Sequence, residues 1–258
     1  MIFVLVMLVS LLTGPYVFTG FYFFLSLLCL MEFFALVKTT GIRPHRTIAI
    51  VAAFLIFASV STRYFIAFET KWLLLNVPVF FGIFIRELYK RSKLPFSNIA
   101  YTVLGLLYVT TPFVFYHSLA FISGSYNFHV ALAFFLMLWA NDTGAYLMGM
   151  KFGKRRLFER HSPKKSWEGF FGGILTRVLV AFPTAPYFAD YSALQWAGMA
   201  LIISCFGTMG DLVESMFKRS IDIKDSGSIL PGHGGLLDRF DGLLMAAPVV
   251  FVYLYLIT

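Results

Sequence analysis

YVFTGFYFFLSLLCLMEFFALV, residues 16–37, decides the fold. A helix rises 1.5 Å per residue, so about 20 apolar residues are needed to cross a hydrocarbon core of about 30 Å. This run supplies them in one stretch. The same window test places further spans at 2–13, 47–62, 72–88, 97–117, 128–148, 169–188, 193–216 and 240–257. None shows the two-residue alternation of a transmembrane barrel. The expected fold is therefore all-α, a polytopic integral membrane helical bundle of about nine transmembrane helices. The run at 2–13 is shorter than a full crossing and is followed by Gly14-Pro15. It shows no small-residue cleavage site, so it reads as a tilted or truncated first helix rather than a signal-peptide core.

Composition agrees with that reading. Hydrophobic residues are 59% of the chain, charged residues are 13%, and the mean hydropathy of +0.79 lies far above that of soluble domains. Basic residues in short loops mark the cytoplasmic side. With nine spans, every Lys and Arg except Arg63, Lys71 and Arg177 falls in alternate connections on one face. That face is expected to be cytoplasmic, with the C-terminus outside. The formal charge of +8 thus follows from topology, and nucleic acid is not the expected partner. A basic face of this kind attracts anionic headgroups and nucleotide phosphates. Cys29 and Cys205 both lie in apolar runs, which suits packing and not a disulfide. The chain reads as one membrane domain over 1–258, with weakly informative spans in 1–127 and the unusual residues in 128–258.

Those unusual residues gather between the last two spans. The stretch from Lys218-Arg219 through Asp222, Lys224 and Asp225, then Pro231-Gly-His233-Gly-Gly-Leu-Leu-Asp238-Arg239-Phe-Asp241, mixes carboxylates, cations and glycines. Carboxylates bind hard divalent cations, Lys and Arg bind phosphates, and glycines admit backbone N–H groups to an anion. The combination points to a metal and polyphosphate site. Asp211, Glu214 and Lys218 share one helical face at the end of the eighth span. Ionisable groups at that depth are site candidates by default. Glu214 has two readings of equal weight, a site role or an ion pair with Lys218. Asp142, beside Asn141 and Thr143 in the sixth span, is a second intramembrane acid.

Between the sixth and seventh spans, Ser162-Pro163 predicts an N-cap and first helical residue, with Lys164 and Lys165 beside the helix N-terminus as an anion site. Gly169 and Gly173 have the spacing of close helix packing. Arg177, about two turns into its span, has three readings: snorkelling to the surface, pairing with an intramembrane carboxylate, or meeting a lipid phosphate. His233 lacks a second zinc-type ligand at suitable spacing, so a phosphate hydrogen bond suits it better than a metal.

Taken in order, Ser215-Met-Phe-Lys218-Arg219, Lys224-Asp225-Ser-Gly and Leu230-Pro-Gly-His-Gly-Gly-Leu-Leu-Asp238-Arg239-Phe-Asp241 resemble the signature of the CDP-diacylglycerol synthases, or phosphatidate cytidylyltransferases. Asn141-Asp142-Thr-Gly-Ala-Tyr, Phe152-Gly-Lys154 and Ser162-Pro-Lys-Lys-Ser-Trp-Glu-Gly extend the resemblance upstream, while the first half matches in hydropathy alone. The resemblance implies a nucleotidyltransferase that joins CTP and phosphatidic acid into CDP-diacylglycerol and pyrophosphate with Mg2+. It would work among membrane lipids, at the cytoplasmic face of a bacterial inner membrane. By the same analogy Asp211 and Asp238 are assigned to Mg2+, with Asp241 and Asp142 as further ligands or their supports, and Lys218 to a phosphate near the metal. Asn141, Ser162, Lys164, Lys165, Arg219, Lys224, His233 and Arg239 become candidate substrate contacts. A homodimer is among the assemblies open to the chain. Competing functions are a sugar-phosphate transferase acting on polyprenyl phosphate, a CTP-dependent polyprenol kinase, and an ion-coupled transporter using Asp142, Asp211 and Glu214. The unbroken run from Lys218-Arg219 to Asp241 speaks against the first two. The cytosolic phosphate-binding residues speak against the third.

Overall fold

The computed structural model describes residues 2–66, 70–159, 162–188, 190–223 and 234–258, with backbone alone at residues 2, 70, 142, 163, 164 and 183–185. Its helices form 9 continuous segments among these residues. They are α1 (Ile2–Thr13), α2 (Pro15–Lys38), α3 (Arg46–Ile66), α4 (Asn76–Tyr89, entered through a 3-10 turn from Thr70), and α5 (Pro95–Gly105) running into α6 (Thr111–Leu119). There follow α7 (Phe128–Phe152), α8 (Trp167–Tyr187), α9 (Ala193–Ser220) and α10 (Leu237–Ile257). Among the described residues, 7 segments are long and apolar enough to cross a membrane, and α1 is a shorter apolar helix. The expected bundle is what the chain forms. Its outer surface is itself apolar, with Leu12, Phe81, Phe96, Leu194 and Leu256 all exposed. Hydrocarbon is the solvent such a surface suits.

Two features were not legible beforehand. The segment joining α5 to α6 passes through a π-turn at Leu106–Thr110. A wider turn of this kind re-aims the side chains around it. The connection between α7 and α8 holds a small antiparallel pair, β1 (Arg156–Phe158) and β2 (Ser162–Ser166), with an irregularity in register. The expected helix start at Ser162-Pro163 is therefore incorrect. β1 gives residues 162–166 a backbone partner, and the cap falls four residues later, where Ser166 Oγ accepts from Gly169 N at 3.1 Å. Ser166 satisfies an N–H of the first turn, and α8 begins at Trp167.

The second half forms a group in which α7 packs on α8, α8 on α9, α9 on α10, and α7 reaches α9. Lipid offers these helices no hydrophobic drive to associate, so close backbone approach does the work. At Gly169 a Cβ would lie 2.9 Å from the Ala145 carbonyl oxygen, and at Gly173 it would strike Asn141, so the expected close packing is seen. At Gly210 a Cβ would press on the Asp241 carbonyl oxygen of α10. Nothing but backbone separates α9 from α10 there. The first half supports this group with an aromatic core: Tyr116 stands 4.9 Å from Phe135 of α7, and Phe113 5.2 Å from Phe240 of α10. A separate polar knot ties the α2–α3 loop to α4 and α5. His45 Nε2 meets Glu87 Oε2 at 2.5 Å, Asn98 donates to Glu87 at 2.8 Å, and His45 N donates to Thr102 Oγ1 at 2.8 Å. Burial pulls the His45 imidazole below its ordinary pKa, with Glu87 opposing.

Gly210→Ala is expected to cost about 1–3 kcal/mol by overpacking the α9–α10 seam, read as a lower unfolding temperature in detergent. Gly20 faces open space, and Gly20→Ala is expected to be neutral or stabilising by up to about 1 kcal/mol. Equal effects at the two positions would refute the seam.

Candidate active site

Asp211 occupies the last third of α9, and Asp238 and Asp241 lie in the first turn and a half of α10. The antiparallel run of these neighbours brings a helix end and a helix start together. Asp211, Asp238 and Asp241 line one cavity of about 240 Å³, with Asn141 from α7, Arg177 from α8, Lys165 from β2, and Arg239. Three carboxylates thus face three cations among the described residues.

Lysines tie these acids together across elements. Lys165 Nζ meets Asp211 Oδ2 at 2.5 Å. Lys218 Nζ lies 3.0 Å from Glu214 Oε2 and 2.5 Å from Asp238 Oδ1. The ion-pair reading of Glu214 is therefore seen in the structure. Glu214 is 1% exposed, and it anchors an ammonium that reaches the carboxylate of another helix. The second oxygen of Asp238 accepts from Gly235 N at 3.2 Å, which fixes the carboxylate against its own turn. Arg177 is fully buried and lines the acidic cavity, so it does not snorkel.

A second cavity of about 310 Å³ shares Asn141, Lys165, Thr208 and Asp211 with the first and is walled by Tyr146, Leu157 and Phe170. The polar chamber and the greasier one meet at the Lys165–Asp211 pair. The β1–β2 connection helps to form the second chamber, because Leu157 belongs to β1. Glu168 holds the base of that connection by accepting from Lys154 N at 3.1 Å and Arg155 N at 3.2 Å.

Other expected site residues stand elsewhere. Ser162 is half-buried in β2 and is not among the lining residues. Arg219 is exposed and donates to the Ile223 carbonyl oxygen at 3.1 Å. Lys224 and His233, and the side chains of Asp142 and Lys164, lie outside the described residues. The residue missed by the sequence reading is Glu32 of α2, a buried acid in the very run that decides the fold. Its Oε2 accepts from Leu236 N at 2.8 Å and Leu237 N at 3.4 Å. The available signal was a lone carboxylate inside a span.

A family model described as the cytidylyltransferase family matches residues 1–257. The chain belongs to the cytidylyltransferase family. Among curated relatives, the phosphatidate cytidylyltransferase of Staphylococcus aureus (strain COL) is 41% identical over 166 residues, covering 64% of this chain and 62% of the relative. Those of Staphylococcus haemolyticus (strain JCSC1435) and Staphylococcus epidermidis (strain ATCC 12228 / FDA PCI 1200) are 38% and 39% identical over the same length. The chain spans 62% of the length of these relatives. The resemblance first read from the motifs is the one these family matches carry.

Among the described residues no three His, Cys, Asp or Glu side chains converge as a metal cage. Mg2+ seldom uses one: it is held by one or two carboxylates together with substrate phosphates and water. Oxygen donors of Asp211, Asp238 and Asp241 around one cavity fit that habit.

Lys218→Met leaves Glu214 buried without a counter-charge, and is expected to cost about 3–5 kcal/mol in thermal unfolding. Adding Glu214→Gln removes the stranded charge and should recover part of the loss. A double variant as unstable as the sum of the single ones would show that the two residues do not form a coupled pair.

Proposed function

We propose that this integral membrane protein transfers the cytidylyl group of CTP to phosphatidic acid, giving CDP-diacylglycerol and pyrophosphate at the cytoplasmic face of the membrane. The observation that carries the reading is the convergence of Asp211 and Asp238, from two helices, on one cation-lined cavity adjoining a greasier one. Family membership and the names of the Staphylococcus relatives support the choice of substrates. The placement of basic loops supports the choice of face.

The chemistry asks little of the protein in the way of base catalysis. A phosphate monoester is already anionic at neutral pH. Its oxygen attacks the α-phosphorus of CTP, the bond from that phosphorus to the bridging oxygen breaks, and pyrophosphate carries the electrons away. What must be overcome is repulsion between two anions and the charge gathering on the leaving group. Lys165, Arg177 and Arg239 supply positive charge in the cavity wall, and Lys218 adds its own beside Asp238. Asp211 and Asp238, with Asp241 next to them, would hold Mg2+, which when bound neutralises polyphosphate charge and favours departure of pyrophosphate. The greasier chamber suits the glyceride end of a lipid entering sideways from the bilayer. Asp142, Lys164, Lys224 and His233 stay in the proposal on the strength of the motif.

Purified protein supplied with labelled CTP and phosphatidic acid is expected to form CDP-diacylglycerol only when a divalent cation is present. Asp238→Asn and Asp211→Asn keep shape and remove charge, and each is expected to lower turnover by roughly a hundredfold or more. Product formed in excess chelator, or wild-type turnover in Asp238→Asn, would end the metal assignment. Folded wild-type protein that forms no product would end the functional one.

A further inference from the structure

α10 begins without a cap of its own. Its N-cap position is Leu236, which offers no side-chain oxygen. The first N–H groups of a helix lack partners within it, and here Leu236 is 2% exposed and Leu237 fully buried, so water is kept from them. Both donate to Glu32 Oε2, which lies 204 positions before Leu236 and 205 before Leu237 in the chain. Glu32 is itself 3% exposed. A carboxylate so placed makes charge-assisted hydrogen bonds and meets the positive end of the helix dipole.

The next residue after Leu237 is Asp238. Its Oδ2 accepts from Gly235 N and its Oδ1 meets Lys218, so its direction depends on the turn formed by residues 235–237. Glu32 holds that turn. A separate contact ties the same part of α2 to the other partner: Phe33 stacks on Phe217, the residue before Lys218, with centroids 5.0 Å apart and planes at 23°. Two consecutive residues of α2 thus grip the neighbours of both members of the Asp238–Lys218 pair. We infer that Glu32 is a positioning residue for this pair, through which the first half of the chain sets the geometry of the site. The inference rests on the reading of Asp238 as a site carboxylate and goes beyond the motifs, all of which lie in the second half.

The test compares Glu32→Ala, Glu32→Gln and Glu32→Asp in purified protein, following turnover together with amide hydrogen exchange. Alanine removes the acceptor. It should lower kcat by roughly ten- to a hundredfold, since small misplacements remote from the chemistry have such effects, while KM for CTP stays within about twofold. Glutamine keeps an oxygen at the same reach and should recover most of the lost kcat. Aspartate keeps the charge but withdraws it by one methylene, so it should reduce kcat in the same direction even if the alanine variant does not fold. Exchange at Leu236 and Leu237 should rise roughly tenfold in the alanine variant, with no turnover required for the measurement. Faster exchange with wild-type kcat would reduce Glu32 to a structural cap and overturn the inference, as would unchanged exchange. Wild-type protein that forms no product, with exchange responding as described, would overturn the reading of the site and leave the Glu32 brace in place.

Discussion

A charge placed in hydrocarbon must be met by another charge or by a hydrogen bond, because no water is there to meet it. The second half of this molecule is built around that requirement. Lys218 is held by Glu214 and Asp238 together, and the bare start of α10 by Glu32, while the more exposed Lys165 pairs with Asp211 at the cavity wall. Apart from Glu214 and Lys218, four residues apart on one helix, these pairings join groups that propensity or hydropathy alone would not bring together. Because most of the partners come from different elements, satisfying the charges also fixes the helices relative to one another. The result is a polar cavity with charges fixed in its walls, the kind of arrangement that the proposed transfer would use on a developing transition state.

How much of this could be read in the sequence depends on the range of the interaction. Spans were legible because hydropathy is a local property: α2, α3, α9 and α10 begin and end within a few residues of their apolar runs. The Asp211, Glu214 and Lys218 stripe was legible for the same reason, since helical spacing places i, i+3 and i+7 on one face. Partners across helices were not legible. No spacing rule connects Glu32 to Leu236 or Lys165 to Asp211, and His45, Glu87 and Asn98 form their knot from three separate segments.

The start of α8 shows a different failure. Local rules favour a helix start at Ser162, which is followed by Pro163. The choice was decided by a neighbour instead, because β1 offered residues 162–166 a ladder and left Ser166 to cap the helix. The consequence for function is concrete. Lys165 projects from the last part of a strand and reaches Asp211, and the short β connection adds Leu157 to the wall of the greasier chamber.

The contact of Gly210 with the Asp241 backbone bears on how such a protein lives in membranes of varying thickness. A bilayer that thins or thickens forces helices to change their tilt. Where Gly210 leaves only backbone between them, α9 and α10 are held together at the level of Asp211 and Asp241, so a change of tilt there moves these acids together. α3 and α4 contribute no described residue to the acidic cavity, so their own tilt need not be shared with the carboxylates.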